Sequence, residues 1–329
     1  MVQPEALLVT LVKLVDWLPQ VEAAPEQRRK RGRQQVYSDR LIIKALVIMI
    51  VRRLYSATSL LNFLEQETAL TQQLRLLLTE NGAFPSRRTW ERRLNALPDT
   101  LPDQIGWLGR CLVNWLQPWQ HSGRAAVMDS TPLRANGGVW HNKHRQQGIV
   151  PHSSIDTQAG WSKSGYHGWW YGWKLHLACA VSSIWIPLAA QLTVANTDDA
   201  SVAPALLRQL PAEVRYILGD THYNTPDLRQ ACEARGCWLV ASRRGKHPHS
   251  DSGVEVRRIF HKLRSQSIEP FNGLFKNVFE WGGQVPIKGL RRTQLFVLGA
   301  VLLYQLVLLY QFQHGKPLNQ GVKALLRAA

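Results

Sequence analysis

The order of strands and helices after residue 124 is the feature that most restricts what this chain can fold into. Apolar runs at 125–128, 171–181 and 187–196 have the length and composition of strands, and the last two predict an antiparallel hairpin. Beyond them the pattern predicts helices over 198–210, 226–235 and 257–278, strands over 216–218 and 237–242, and a last helix from 295. Three strands followed by alternating helices and strands predict a mixed sheet flanked by helices.

Two of these strands end at an aspartate. Asp129 follows the run 125–128, and Asp220 follows the strand 216–218 and one glycine. The order of elements is RNase H-like, an arrangement in which these two strands are neighbours, so both carboxylates should lie close together at one edge of the sheet. Such a pair needs a counter-charge, and Mg²⁺ supplies one because it prefers oxygen ligands and bridges to phosphate. Either aspartate alone could instead cap a turn or a helix.

Glu269 is the best candidate for a third carboxylate. In the predicted helix 257–278, the buried stripe consists of Ile268, Phe271, Phe275 and Val278. Glu269 and Lys276 fall on the neighbouring stripe, since seven residues are nearly two turns. A carboxylate and a lysine bordering the core could bind a metal and a DNA phosphate. Glu280 is the second choice, and Glu255 is expected in a polar loop.

The charge of the chain indicates a polyanionic partner. Lys and Arg total 40 against 23 Asp and Glu, which gives a formal net charge of +17. An excess of this size is typical of nucleic-acid binding. The basic clusters are spread along the chain, which favours nucleic acid over a membrane surface.

The cysteines and the one long apolar run indicate whether the chain belongs in the cytosol or in a membrane. The four cysteines form no C-x-x-C pair, so they are expected to be reduced thiols of a cytosolic protein. The run 295–312 nears the length of a membrane span, but Gln305 and Gln311 interrupt it. A buried core helix is therefore favoured over a transmembrane helix.

Residues up to about 120 have helical patterns, with helices predicted around 41–54, 59–66 and 70–79. In the next segment Ser86 is the expected N-cap, and one apolar stripe consists of Trp90, Leu94 and Leu97. Arg87, Arg88 and Arg92 point elsewhere, as in the second helix of a helix-turn-helix in a DNA groove, with a solvated basic face as the alternative. The run 28–33 is predicted to be a flexible basic arm that contacts phosphates.

Five segments together resemble the DDE transposases of bacterial insertion sequences. They are MDSTPL, YGWKLHL, TVANTDDASVAPALL, LGDTHYN and IEPFNGLFK, and the resemblance covers roughly residues 124–310. It implies an RNase H-like catalytic domain over 121–329 with a long loop insertion at about 134–170, after a helical, helix-turn-helix-like DNA-binding region over 1–120. It also implies that Asp129, Asp220 and Glu269 form the catalytic, metal-binding triad, with Lys276 as the lysine seven positions after the glutamate.

One departure from the family pattern concerns the phosphate clamp. Many members place a tyrosine and an arginine seven and four positions before the glutamate. Here Lys262 and Ser265 hold those positions, while His261 and Arg264 lie one residue further upstream. A small local shift would let Arg264 take the arginine's role.

The resemblance implies an enzyme that binds terminal inverted repeats and cuts the transposon end with two Mg²⁺ ions, for which Mn²⁺ can substitute. The freed 3′-hydroxyl would then attack target DNA. A homodimer or higher assembly on double-stranded DNA is expected, in the bacterial cytoplasm at the nucleoid. The alternatives are an RNase H-like nuclease without strand transfer and a decayed element acting as a DNA-binding repressor. A glycosidase with paired carboxylates fits the charge poorly.

Further DNA contacts are predicted around the site. They are Arg264, Lys174, Arg243, Arg244 and Lys246, together with Trp169 and Trp170. Strand alternation buries Trp173, whereas Trp161, Trp169 and Trp170 either pack within the loop or stack on an unpaired base. Lys174 and His176 alternate with core positions and are expected on the DNA side. Three histidines match no tight zinc pattern and are expected to face solvent or DNA: His141, His144 and His152.

Overall fold

The region before residue 120 is helical in the computed structural model, which describes residues 4–19, 36–119, 124–165, 168–241 and 251–329. Its helices are α1 (Pro4–Leu14), α2 (Asp39–Val51), α3 (Ala57–Leu64), α4 (Ala69–Leu77), α5 (Arg87–Ala96) and α6 (Leu101–Leu116). α5 begins as predicted, because the Ser86 side chain accepts a hydrogen bond from the Thr89 amide. The predicted basic arm at 28–33 lies outside the described residues.

One mixed sheet follows. Its strands are β1 (Ala125–Arg134), β2 (Gly160–Ser164), β3 (Gly168–Ala180), β4 (Pro187–Val194), β5 (Tyr216–Gly219) and β6 (Trp238–Ala241). β3 pairs antiparallel with β1 on one side and with both β2 and β4 on the other, while β5 and β6 continue the sheet in parallel from β1. The predicted β3–β4 hairpin and the RNase H-like mixed sheet flanked by helices are confirmed.

Two features of the sheet were not predicted. β1 does not end at Asp129 but continues to Arg134, because β3 is long enough to pair with it throughout. The long insertion contains a short helix, α7 (Asn142–Gln146), and the strand β2, which forms a second hairpin with β3. At Gly172 the backbone of β1 passes so close that a Cβ would collide with the Leu133 carbonyl oxygen.

The remaining helices cover the sheet. They are α8 (Asp199–Gln209), α9 (Pro226–Ala234), α10 (Asp251–Val278), α11 (Leu290–Gln313) and α12 (Val322–Ala328). α10 begins six residues earlier than predicted, so Glu255 lies in the helix rather than in a polar loop. The predicted buried stripe of α10 is confirmed, since Ile268, Phe271, Phe275 and Val278 are all buried.

α11 is a core helix. It is long and apolar enough to cross a membrane, but 94% of its most apolar window is buried inside the protein. The side-chain nitrogens of the two glutamines that interrupt the apolar run have partners there: Gln305 Nε2 donates to the Ile105 and Pro187 carbonyl oxygens at 2.9 and 2.8 Å, and Gln311 Nε2 donates to the Gln320 carbonyl at 2.6 Å. Buried polar groups that find partners in this way belong to a protein interior.

The N-terminal helices share the core of the sheet. One hydrophobic cluster extends from α1 to α12 and includes residues on both sides of position 120. α6 lies so close to β4 that a Cβ at Gly109 would be 2.7 Å from the Pro187 carbonyl oxygen. Arg291 on α11 also forms an ion pair with Asp99 at 2.5 Å. The predicted division into two regions at about 120 therefore concerns function rather than packing, and stays a prediction.

Candidate active site

The parallel pairing of β1 and β5 brings Asp129 and Asp220 to the same level of the sheet. Val127 pairs with Leu218, so two residues further along Asp129 is level with Asp220. β5 ends at Gly219, whereas β1 runs on, which leaves Asp129 beside the point where its neighbour stops. The sheet therefore juxtaposes the two predicted aspartates, although the strand carrying Asp129 does not end there.

Asp129 is a buried carboxylate with an unfavourable charge. Its side chain is 12% exposed, and burial raises its pKa to about 6, with the nearby Asp220 charge acting in the same direction and the Arg264 guanidinium opposing both. Desolvation disfavours an ionised carboxylate unless a cation compensates it. The position calls for a counter-charge.

Asp220 both caps a turn and borders the site. Its carboxylate accepts hydrogen bonds from the His222 amide at 2.8 Å and contacts His222 Nδ1 at 3.1 Å, capping the 3₁₀ turn Thr221–Tyr223. Gly219 permits this turn, since a Cβ there would lie 2.7 Å from Tyr223 Cβ. The capping alternative and the site prediction are thus compatible for Asp220.

Arg264 on α10 joins the three predicted carboxylates. Its Nη2 lies 3.1 Å from Asp129 Oδ2, and its Nε lies 3.6 Å from Glu269 Oε1. Burial lowers the pKa of Arg264, but the charges of Asp129, Glu269 and Asp220 outweigh it and raise the pKa above its usual value. All three carboxylates therefore act on one guanidinium group.

Lys276 borders the same cluster from two turns along α10. Burial lowers the pKa of its ammonium group, while the Asp129 carboxylate partly restores it. Glu280, the second choice, lies elsewhere and forms ion pairs with Arg53 and Arg327, both at 2.5 Å. Of the two glutamates, Glu269 is the one that contacts Arg264, the partner of Asp129.

The residues present fit a divalent cation in charge and donor type. Asp129, Asp220 and Glu269 offer only carboxylate oxygens, which are the ligands that Mg²⁺ prefers. Asp129 is a desolvated anion in need of a positive partner. In the described part of the chain, no three His, Cys, Asp or Glu side chains are grouped closely enough to hold a metal ion. The carboxylates surround the Arg264 guanidinium instead.

Lys174, predicted to contact phosphate, is engaged within the protein. Its Nζ bonds to Asp199 Oδ1 at 2.9 Å and to the Thr197 carbonyl at 3.0 Å. The neighbouring His176 is fully buried, with Nε2 2.8 Å from Thr193 Oγ1. Burial lowers the pKa of His176 to about 4, against the opposing charge of Asp199. Neither side chain presents a free surface to DNA.

Asp199, the acid that pairs with Lys174 at 2.9 Å, was not predicted as its partner, because in the sequence its position near the start of α8 indicates only a favourable interaction with the helix dipole. The available signal was the alternation of Lys174 and His176 in β3, which places two basic side chains on one face in need of an acid. Asp198, one residue earlier, is the N-cap and accepts a hydrogen bond from the Ser201 amide.

The two tryptophans at the start of β3 differ. Trp169 is 65% exposed, with Lys163 Nζ over its ring at 5.6 Å, whereas Trp170 is 3% exposed. A DNA base cannot stack on a buried ring, so of these two tryptophans only Trp169 exposes a ring on which a base could stack. Trp173 is buried as predicted. Trp161 packs against Tyr171 with ring centroids 5.3 Å apart.

The other predicted DNA contacts lie on α5 or outside the described residues. Arg87, Arg88 and Arg92 are exposed on α5, whose buried face holds Trp90, Leu94 and Leu97 as predicted. Arg243, Arg244 and Lys246 lie outside the described residues. His261 is exposed on α10, His141 and His152 are exposed, and His144 is half-buried.

One family model matches most of the second half of the chain. The family model described as a transposase DDE domain matches residues 120–306, more than half of the chain. An uncharacterized protein of Aquifex aeolicus (strain VF5) is 23% identical over 298 residues, which cover 87% of this chain and 82% of that protein.

Two solved structures are similar at low identity. One is the piggyBac transposase in a synaptic complex with hairpin DNA, at 10% identity and a TM-score of 0.39, covering 99% of this chain and 79% of that chain. The other is the Mos1 transposase in a paired-end complex with the left transposon end, at 11% identity and a TM-score of 0.23, covering 78% of this chain and 77% of that chain.

Proposed function

Because this chain belongs to the family of transposases with a DDE domain, we propose that it cuts and joins DNA at the ends of an insertion sequence. Membership implies a nucleotidyl-transferase-type enzyme, and DDE transposases generally use divalent metal ions. The proposed catalytic residues are Asp129, Asp220 and Glu269. The observation that carries the proposal is geometric: the pairing of β1 with β5 puts Asp129 level with Asp220, and Asp129 and Glu269 contact the same Arg264 guanidinium at 3.1 and 3.6 Å.

The carboxylates would hold Mg²⁺, or Mn²⁺ in its place, on their oxygen atoms. Bound there, two such ions would supply the Lewis acidity that favours attack by water or a 3′-hydroxyl on a phosphodiester. Asp129 is pre-positioned by β1 and Asp220 by the turn after β5. Glu269, which is 52% exposed in its side chain, lies at the open side of the cluster where DNA would approach.

Two cations of α10 would contact the scissile phosphate. Lys276 is half-buried beside Asp129, and Arg264 already bonds to an oxyanion, the Asp129 carboxylate. Guanidinium groups bind carboxylate and phosphate through the same geometry. We infer that Arg264 exchanges the carboxylate for a DNA phosphate when substrate and metal bind.

The terminal repeats beside the cleavage point would be bound by other parts of the chain. The exposed arginines of α5, the basic segments 28–33 and 243–246, and Trp169 are the proposed contacts with terminal repeats and unpaired bases. A homodimer on double-stranded DNA would hold both ends together, in the bacterial cytoplasm. The net charge of +17 supports a polyanionic partner.

Cleavage and joining of labelled end-containing DNA in Mg²⁺ tests the proposal. Asp220→Asn and Glu269→Gln should each lower the cleavage rate at least about 100-fold, because each removes an oxygen ligand and a charge. Glu233→Gln, an exposed residue of α9, is the matched control and should cleave normally. Normal cleavage by both site variants would refute the mechanism.

Pre-cut ends separate the alternatives. A transposase joins them to target DNA, whereas a nuclease without strand transfer gives cleaved but no joined product. A repressor derived from a decayed element would bind the ends and yield neither product. Joined product that depends on Asp220 and Glu269 is the expected result.

A further inference from the structure

The hydrogen-bond pattern of helix α10 lacks one bond at Pro270, directly after Glu269. Pro270 has no amide hydrogen, so the Gln266 carbonyl loses the donor that an α-helix would give it. Three residues before Pro270, the buried Ser267 hydroxyl donates to the Leu263 carbonyl at 2.6 Å, a type of bond that bends helices. The weakened turn therefore lies between Arg264 and Glu269, the two α10 residues that meet the aspartates.

The Gln266 carbonyl receives a hydrogen bond from the Trp185 indole instead. Trp185 Nε1 donates to the Gln266 carbonyl oxygen at 3.1 Å. Trp185 lies in the turn between β3 and β4, and its own amide donates to Asn319 Oδ1 at 3.2 Å. Asn319 in turn donates to the Ser183 carbonyl at 2.7 Å and accepts from the Tyr304 hydroxyl at 3.1 Å. The indole is thus held from the core side.

We propose that Trp185 is a positioning residue whose indole N–H replaces the missing amide of Pro270 and fixes the turn that presents Arg264 and Glu269. This inference deepens the proposed function and rests on it for the role of Glu269. Arg264 contacts Asp129 at 3.1 Å and Glu269 at 3.6 Å across this turn. A change in the turn's hydrogen bonding moves both contacts together.

The presence of Pro270 allows a matched test. In Pro270→Ala protein the helix supplies its own amide to Gln266, so the Trp185 bond is no longer needed there. Amide hydrogen exchange of residues 264–269 in the full-length, metal-free protein is the measurement. Trp185→Phe should accelerate exchange about two- to tenfold in the Pro270 background, the ratio expected for one hydrogen bond, and less than about twofold in the Pro270→Ala background.

A control and a milder variant keep the test decisive. Trp238→Phe, at an exposed position of β6, should leave exchange in α10 unchanged. If Trp185→Phe fails to fold, replacement of Trp185 by 3-benzothienylalanine keeps the ring but removes the N–H. Equal acceleration in both backgrounds, or none in either, overturns the proposal.

A kinetic measurement distinguishes positioning from general stability. Trp185→Phe should lower the rate constant of end cleavage while the Kd for end DNA changes less than about twofold, and adding Pro270→Ala should restore the rate. A merely structural role would instead lower the rate constant and raise the Kd, and Pro270→Ala would not rescue either. If Asp220→Asn and Glu269→Gln cleave normally, the proposed function fails, but the exchange experiment still decides whether Trp185 and Pro270 are coupled.

Discussion

At the scale of single residues, the buried carboxylate of Asp129 links stability to pH. The pKa of the Asp129 carboxyl is 3.8 when the group is solvated, as in the unfolded chain, and burial in the folded protein raises it to about 6. The folded protein therefore loses stability as pH rises through that interval. In EDTA, the free energy of unfolding of Asp129→Asn should therefore rise relative to that of the wild type between about pH 4 and 6. The difference should reach about 3 kcal/mol above pH 6. Urea unfolding at several pH values measures this, and a pH-independent difference would contradict it.

Mg²⁺ provides the control for the Asp129 prediction. A cation that binds the folded protein stabilises it in proportion to the logarithm of its concentration over Kd. Above pH 6, Mg²⁺ should raise the unfolding free energy of the wild type and have less effect on Asp129→Asn. Equal stabilisation of both proteins would mean that the ion binds elsewhere.

Arg264 is the counter-charge of the metal-free site. Arg264→Ala leaves Asp129 desolvated without its partner, which should cost about 1–3 kcal/mol in EDTA, less than for a fully buried pair because Arg264 is 24% exposed. Mg²⁺ should then recover more stability in Arg264→Ala than in the wild type, since no guanidinium competes for the carboxylates. Thermal unfolding with and without Mg²⁺ measures both effects.

An exposed arginine is the matched control for Arg264. Arg87→Ala removes the same group from α5, where the guanidinium is solvated and pairs only with Glu91 at 2.9 Å. Its effect on stability should stay within about 0.5 kcal/mol and should not depend on Mg²⁺. If Mg²⁺ stabilised Arg87→Ala as much as Arg264→Ala, the result would contradict the role of Arg264 as the counter-charge of the site.

Residue types alone suggested part of the site. Asp129, Asp220 and Glu269 could be proposed because two strands run into aspartates, Glu269 borders the buried stripe of one helix, and the surrounding segments resemble those of DDE transposases. The partners of Arg264 and Lys174 could not, since which acid meets which base depends on tertiary packing. The capping and metal alternatives for Asp220 were also inseparable from sequence, because both use a carboxylate after a strand.

At the scale of elements, α11 shows how a core helix is distinguished from a membrane span. Gln305→Leu makes the helix more apolar but leaves the Ile105 and Pro187 carbonyls without their donor. Unpaired buried groups should lower the free energy of unfolding by about 2–4 kcal/mol. Urea unfolding in the absence of detergent is the measurement, and a stabilised variant would contradict the assignment.

Phe312 on the same helix is the matched position. Its side chain is 45% exposed, so Phe312→Gln should change the unfolding free energy by no more than about 0.5 kcal/mol. In lipid the expected order of the two effects is the reverse: the more polar Phe312→Gln would be costly, and the more apolar Gln305→Leu would be tolerated. The opposite order of effects would place α11 in a membrane.

Strong periodicity made most elements predictable. The helices for which a range was predicted and the strands β3 to β6 fall close to their expected residues, because their apolar spacing is regular, whereas no range was predicted for α1, α6 and α12. β2 and α7 were missed because their segment is rich in Gly, Ser and His, and β2 owes its conformation to pairing with β3. β1 was predicted too short because Asp129 and Pro132 interrupt the apolar run, although the β3 backbone still pairs with them.

At the scale of the whole molecule, the excess of positive charge should appear as salt-sensitive binding. Each phosphate neutralised by a cation contributes about 0.9 to the slope of log affinity against log salt on duplex DNA. Arg87, Arg88 and Arg92 are exposed together on α5, whose fixed Trp90 face and buried Arg93–Asp39 ion pair at 2.6 Å hold the helix in place. They are the proposed contact surface for DNA phosphates.

Replacing all three α5 arginines by alanine should weaken binding to end-containing DNA and reduce the salt slope by about 2–3. The fold should persist, because the substituted side chains lie outside the core. A charge-matched variant, Lys13→Ala, Arg208→Ala and Lys323→Ala on α1, α8 and α12, should change the slope by less than about 1 if α5 is the DNA-facing helix. Titration of labelled DNA at four salt concentrations gives both slopes. Equal slopes for the two variants would mean that the charge acts as a diffuse field and that α5 has no special place in DNA recognition.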